Sequence, residues 1–175
     1  IMHGAGIGGV DGEGVVAFVA EGAMLGQYRY DKYKSKKEGD ADTDGIAELL
    51  IVEREEDKVS TIEHGVARGT ILAEATNFAR DLVNAPSNEL TPTELAARAQ
   101  AMAEELGLEC EVLDRDAMAQ LGMGALLGVA KGSAEEPKLV FLRYRGSDDA
   151  PIALVGKGVT FDTGGISLKP GLGVE

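Results

Sequence analysis

At 175 residues, the chain is long enough for one complete hydrophobic core or for parts of two domains. It carries 17 basic and 30 acidic residues, and hydrophobic residues make up 44% of it, as in water-soluble globular proteins. The resulting net charge of −13 would repel a phosphate backbone, so the composition argues against a nucleic-acid partner.

Few residues could form a disulfide or a histidine metal cluster. Cys110 is the single cysteine and lies in a strand-like run, which predicts a packing role. The two histidines, His3 and His64, are far apart in the sequence. No apolar run reaches the ~18 residues of a membrane span, and no signal-peptide pattern opens the sequence. We therefore expect a cytoplasmic protein without a membrane partner.

The first third of the chain predicts one helix and one strand between loops. Apolar residues recur at helical spacing over residues 15–30, where Gly22 and Gly26 would let a neighbouring element pack closely. Residues 46–52 predict a strand. The glycine-rich residues 1–14 and the charged residues 31–45 predict loops.

The middle of the chain predicts two helices separated by a linker that contains proline. Residues 59–83 show the longest helical pattern, which would span about 40 Å and could bridge two domains. Pro86 disfavours helical geometry in the residue before it and predicts the end of this helix. Thr91 is expected to begin the next helix in a capping box with Glu94, and Gly107 is expected to end it.

The remaining residues predict alternating strands and short helices. Strands are expected at residues 108–113, 126–130, 138–144 and 151–155, and a short helix capped by Asp114 follows the first of them. This alternation with short connections predicts an α/β fold with some parallel strand pairing.

The most informative stretch is residues 152–173, where charged residues follow an apolar run typical of a buried strand. Lys157 lies between two glycines directly after that run, Asp162 follows it, and Lys169 precedes a proline. Since ligands bind beyond the carboxyl ends of strands in α/β sheets, we expect these charged side chains to line a cleft.

Three interpretations of this stretch compete on the residues alone. A phosphate loop is disfavoured because the residues around Lys157 lack the spacing of a Walker loop and the third glycine of a dinucleotide fingerprint. A structural turn would leave Lys157 and Lys169 in water, where lysines usually lie. A metal or acid–base site would use Lys157 and Asp162, since desolvation favours the neutral amine, which can bind a metal ion. Two ligands alone do not make a metal site.

The sixteen residues 155–170, VGKGVTFDTGGISLKP, resemble the first active-site segment of the leucyl (cytosol) aminopeptidase family, peptidase family M17. Residues 84–92, NAPSNELTP, resemble the linker after the interdomain helix of that family. Residues 21–30, EGAMLGQYRY, resemble the end of its N-terminal domain. The three segments occur in the order of the family, so the similarity covers most of the chain. Thr163 is a mild departure, because many relatives have serine there.

The resemblance implies a two-metal peptidase site. It implies that Lys157 is an amine ligand to one metal ion and that Asp162 is a carboxylate ligand that bridges both ions. Lys169 would be a catalytic cation that polarises the peptide carbonyl or stabilises the oxyanion. The implied cofactors are two divalent ions per subunit, Mn²⁺ or Zn²⁺, with Mg²⁺ as a further candidate. Such ions bind the free N-terminus and the scissile carbonyl and activate a water molecule.

The resemblance also implies a domain organisation. Residues 1–57 would be the end of an N-terminal α/β domain, residues 58–84 the connecting helix, and residues 85–175 the first half of a catalytic α/β domain with a mixed sheet. The remaining ligands and the catalytic arginine of the family would lie after Glu175. We therefore expect a fragment of a longer protein that is inactive and binds metal poorly by itself.

The predicted function is a metal-dependent aminopeptidase that releases N-terminal residues, of the leucine type, from peptides with a free N-terminus. The resemblance implies a homohexamer. The main alternative is a structural or binding remnant, or a paralogue, without catalysis. A nucleotide-binding enzyme ranks third and predicts thermal stabilisation by ATP or NAD but not by Mn²⁺ or Zn²⁺.

Overall fold

The computed structural model describes residues 12–35 and 45–161. The chain divides into two compact units, and the boundary between them lies between Asn84 and Ala85. The assignment of residues 1–57, 58–84 and 85–175 to an N-terminal domain, a connecting helix and a catalytic domain stays a prediction. Most of the two predicted loops, 1–14 and 31–45, lies outside the described residues.

The first unit contains two long helices. Helix α1 spans Gly12–Gly26, and helix α2 spans the 26 residues Val59–Asn84 after a 3₁₀ turn at Glu56–Lys58. Both predicted helices are confirmed, although α1 begins and ends a few residues earlier than expected. The side chains buried between them are small: Val16, Ala17 and Ala20 of α1 and Ala73 of α2, together with Gly65 and Gly69.

Two glycines of α2 allow the close approach of the helices. A Cβ atom at Gly65 would lie 2.6 Å from the carbonyl oxygen of Glu13, and one at Gly69 would lie 2.3 Å from that of Ala17. Both distances are shorter than any Cβ contact, so α2 meets the backbone of α1 where it has no side chain. The sequence pattern predicted close packing at Gly22 and Gly26, and that prediction is wrong. A Cβ atom at either position would meet nothing within 4 Å in the described part of the chain.

Hydrogen bonds join the carboxyl ends of the two helices. Arg80 donates to the carbonyl oxygen of Leu25 at 3.2 Å, and its guanidinium lies 5.3 Å from the centre of the Tyr28 ring. The Tyr28 hydroxyl donates to Asp81 at 2.8 Å and accepts from the Asn84 side-chain amide at 3.1 Å. These bonds fix the chain that leaves α1 against the last turn of α2.

The strand predicted at residues 46–52 is not formed. This segment has neither helical nor strand structure, and most of its apolar side chains are exposed, Val52 by 85%. A strand is stable only when its backbone N–H and C=O groups pair with a neighbouring strand. The described residues of the first unit provide no such neighbour.

The second unit packs helices on a small sheet. Helix α3 spans Pro92–Leu106, strand β1 Glu109–Leu113, helix α4 Arg115–Gln120, helix α5 Gly124–Ala130 and strand β2 Leu139–Arg143. The strands are antiparallel, with Glu109 opposite Arg143 and Leu113 opposite Leu139, and α3 contacts both of them. The buried residues in the described part of this unit are Leu90, Ala96, Ala103, Met118 and Pro137.

The predicted helix ends in this unit are confirmed. The Glu94 N–H donates to Thr91 Oγ1 at 3.2 Å, Pro92 is the first helical residue, and Gly107 ends α3 with φ of 67°. The predicted capping box is formed only in its Thr91 half, because the Glu94 carboxylate accepts a hydrogen bond from Arg98 at 2.7 Å. Asp114 caps α4 by accepting from the N–H of Ala117 at 2.9 Å, also as predicted.

The strands at residues 108–113 and 138–144 are confirmed, and two other predicted strands are wrong. Residues 126–130 belong to helix α5, because a short apolar run rich in alanine and leucine fits a helix as well as a strand. Residues 151–155 have neither helical nor strand structure, and Ile152 is exposed by 90% and Val155 by 97%.

The predicted α/β class is confirmed, with one difference in the sheet. In residues 12–35 and 45–161, the sheet consists of the antiparallel pair β1–β2 and contains no parallel pair. No helix in the described part of the chain is both long enough and apolar enough to span a membrane.

Candidate functional site

Lys157 is the one predicted site residue that the structure describes. It lies in the irregular segment after β2, and its side chain is exposed. The prediction that burial would desolvate this amine is therefore wrong for the described structure, since it depended on a buried strand at residues 151–155. Asp162 and Lys169 lie outside the described residues, so their approach to Lys157 stays a prediction.

The chain next to Lys157 lies against helix α3. A Cβ atom at Gly158 would lie 3.4 Å from Leu95 Cδ2, which is an ordinary van der Waals distance. Leu95 is in the first turn of α3, and its N–H donates to the Thr91 carbonyl at 2.9 Å. The turn before the helix is fixed by the Pro86 carbonyl, which accepts from two successive N–H groups at 2.9 Å. The first turn of α3 is thus a hydrogen-bonded element that lies close to the chain at the predicted ligand.

The predicted ligands have part of the chemistry of a metal site, and only Lys157 of them is described. Lys157 would supply an amine nitrogen and Asp162 a carboxylate oxygen. Both are types of ligand atom that Zn²⁺ and Mn²⁺ bind. Among residues 12–35 and 45–161, however, no three His, Cys, Asp or Glu side chains are grouped to hold an ion. His64 is exposed on α2 and Cys110 is half-buried on β1. Asp162, the other predicted ligand, lies outside the described part.

A second charged cluster joins the two strands, and the sequence analysis missed it. Glu109 accepts hydrogen bonds from Arg143 at 3.0 Å and from Arg145 at 2.5 Å. Two hydrogen bonds hold the pKa of the Glu109 carboxyl below its usual range. The one from Arg145 has the larger effect and the one from Arg143 the smaller. The cluster borders an open cavity of about 420 Å³ lined by residues 145–149. The signal in the sequence was the opposite charge of the first residue of β1 and the last residue of β2, which an antiparallel pair brings together.

Replacement of Glu109 tests this cluster through its pH dependence. A lowered pKa in the folded protein means that the ionised carboxyl adds stability above its unfolded pKa and loses this effect as the pH falls through the folded value. We therefore expect Glu109→Gln to lower Tm at pH 7 and to match the parent protein in acid, once the carboxyl is protonated. Thermal denaturation from pH 7 to pH 2.5 measures this.

Glu111→Gln is the matched control, because Glu111 lies two residues further along the same face of β1 and is also exposed. The same pH dependence in both variants would contradict a specific role of the two arginines.

Comparisons with known proteins agree with the resemblance in the sequence. A model of the cytosol aminopeptidase family, catalytic domain, matches residues 77–175. The probable cytosol aminopeptidase of Solibacter usitatus is 53% identical over 167 residues, which are 94% of this chain and 33% of that protein. That of Aquifex aeolicus is 48% identical over 155 residues, 87% of this chain and 30% of that protein.

A solved structure shows the same relationship. The bottromycin maturation enzyme BotP, in complex with Mn, matches with a TM-score of 0.65 and 38% sequence identity. The match covers 80% of this chain and 27% of that enzyme. The chain spans about one third of the length of the curated relatives that it matches. On the match of residues 77–175 and the identity to these relatives, the chain belongs to the cytosol aminopeptidase family.

Proposed function

We propose that the full natural protein is a metal-dependent aminopeptidase that removes N-terminal residues, of the leucine type, from peptides. The observation that carries this proposal is the match of residues 77–175 to the catalytic domain of the cytosol aminopeptidase family. That span includes Lys157, Asp162 and Lys169, the three residues that the sequence motif assigns to the site. Because the chain is about a third as long as its relatives, the activity is proposed for the whole protein.

The proposed cofactors are two divalent metal ions per subunit, Mn²⁺ or Zn²⁺, with Mg²⁺ as a further candidate. The related BotP structure contains Mn, which supports manganese as the first ion to test. Lys157 would hold one ion through Nζ, and the Asp162 carboxylate would hold both. When bound, such ions supply Lewis-acid activation of a water molecule and of the scissile carbonyl.

The side chains of this chain have separate tasks in the proposed reaction. An amine binds a metal ion only in its neutral form, so Lys157 must lose a proton from Nζ on binding. Its exposed position gives that proton a direct path to solvent. Lys169 would keep its proton and donate a hydrogen bond to the carbonyl oxygen of the substrate. A positive donor aimed at this oxygen stabilises the negative charge that develops as the peptide bond is attacked.

The remaining parts of the proposal concern partners and location. The substrates would be peptides with a free N-terminus, and the full natural protein would form a homohexamer in the cytoplasm. The names of the curated relatives as cytosol aminopeptidases support the location. The net charge of −13 argues against nucleic acid as a partner.

An assay with leucinamide tests the proposal. We expect the full natural protein to hydrolyse leucinamide after addition of Mn²⁺ or Zn²⁺, and to lose this activity when the metal is removed with a chelator. N-acetyl-leucinamide should not be hydrolysed, since it lacks the free amine. The 175-residue chain is expected to be inactive in the same assay. If the full natural protein is inactive with each of the three ions, the non-catalytic alternative is favoured.

A further inference from the structure

The chain around Lys157 passes close to a side chain of helix α3. Gly156 and Gly158 flank Lys157, and a Cβ atom at Gly156 would meet no described residue within 4 Å. At Gly158, by contrast, the added Cβ would lie 3.4 Å from Leu95 Cδ2. The apolar residues before this position, Ile152 to Val155, are exposed and unpaired in the described part. Leu95 is therefore a side chain placed to restrict where this segment lies.

Leu95 itself is held by the fixed first turn of α3. The Thr91 side chain accepts from the Glu94 N–H at 3.2 Å, and the Thr91 carbonyl accepts from the Leu95 N–H at 2.9 Å. The next residue, Ala96, is buried, with only 4% of its surface exposed. The half-buried Leu95 side chain thus projects from a capped, packed helix towards a segment that lacks regular structure.

A flexible metal ligand binds weakly unless something restricts it beforehand. Glycine has access to more backbone conformations than any other residue, so a lysine between two glycines loses much conformational entropy when it coordinates an ion. A contact that restricts the segment before binding reduces that cost and tightens binding. Residues that only support a metal ligand typically change metal affinity by 10- to 100-fold.

We propose that Leu95 is a positioning residue for Lys157, acting through its proximity to Gly158. The side chain of Leu95 supports the backbone at Gly158 and so holds the preceding amine where the metal ion binds. This inference rests on the proposed function, because it assumes that Lys157 is a metal ligand.

The test compares two leucine replacements in α3 of the full natural protein. Leu95→Ala is expected to weaken Mn²⁺ binding about tenfold in isothermal titration calorimetry. Leu106→Ala is the matched control, since Leu106 lies at the other end of the same helix with 63% of its surface exposed, and it should leave the affinity unchanged. Leu95→Met, which restores an apolar side chain of similar volume, should recover the affinity to within about twofold.

A double-mutant cycle with Gly158→Ala shows whether Leu95 acts through Gly158. The added methyl group fits at ordinary contact distance from Leu95, so this variant can fold. If the two residues act together, the fold-changes in Mn²⁺ affinity of Leu95→Ala and Gly158→Ala will not multiply in the double variant. In the control pair, the fold-changes in Mn²⁺ affinity of Leu106→Ala and Gly158→Ala will multiply, because these two residues act independently. A role of Leu95 in folding alone would lower the Tm of the metal-free protein without this coupling.

The outcomes separate this inference from the proposed function. If the parent protein binds Mn²⁺ and Leu95→Ala binds it equally well, the positioning role is wrong while the proposed function stands. Independent, multiplying effects of Leu95→Ala and Gly158→Ala would also overturn the positioning role. If the parent protein binds none of the three ions, the proposed function fails and the positioning role fails with it.

Discussion

Lys157→Met is expected to lower kcat/KM for leucinamide by more than about a hundredfold in the full natural protein, beyond the loss typical of residues that only support a ligand. Methionine keeps an unbranched side chain of similar length but removes the amine that would bind the metal ion. We expect the metal content after dialysis to fall together with the activity. Both are measurable on the same sample, the first by elemental analysis and the second by the leucinamide assay.

The exposed position of Lys157 makes this variant a clean test. A surface substitution usually changes the free energy of unfolding by less than about 0.5 kcal/mol, so the Tm of the metal-free protein should stay the same. Lys131→Met is the matched control, since Lys131 is an exposed lysine of the same unit at the end of α5. Full activity in Lys157→Met would contradict the ligand role, and an equal loss in both variants would indicate a general effect of charge.

The helix ends could be predicted because their causes are local. Thr91, Glu94 and Gly107 act within one or two turns of α3, and Asp114 acts three residues ahead along the chain. Such signals depend on the chemistry of a few neighbouring residues and survive in almost any tertiary setting.

The failed strand predictions share a different cause. Residues 46–52 and 151–155 have the composition of strands, but a strand forms only where another chain segment completes its hydrogen bonds. That partner is distant in sequence, and no local pattern indicates whether it is within reach. The helix at 124–130 shows a related ambiguity, because a short apolar run fits the period of a helix as well as that of a strand.

The sequence revealed the motif of the candidate site but did not predict its geometry. Sixteen contiguous residues suggested the family, and the comparisons confirmed it. The expected burial of Lys157 was inferred from the apolar run before it, and that run is exposed in the described structure. Gly158 and Leu95 lie close together although they are more than sixty positions apart, so only the structure could reveal this proximity.

Gly69→Ala is expected to destabilise the first unit by about 1–2 kcal/mol or more, although alanine is the better helix former. The replacement favours α2 by up to about 1 kcal/mol through helix propensity. Its methyl group, however, would lie 2.3 Å from the carbonyl oxygen of Ala17, which belongs to the backbone of α1 and cannot rotate away. The two helices must therefore separate, and overpacking of this kind costs about 1–3 kcal/mol and occasionally more.

Gly22→Ala decides whether the close approach, and not the loss of glycine, causes this effect. Gly22 is an exposed helical glycine of α1, and an added Cβ would meet no described residue within 4 Å. Because the added methyl group meets no neighbour, only the higher helix propensity of alanine acts. Gly22→Ala should therefore stabilise the unit by up to about 1 kcal/mol. The same chemical change thus has opposite signs at the two positions, which hydrogen exchange of the α1 and α2 amides can measure. If both variants slow the exchange, the helices do not meet at Gly69.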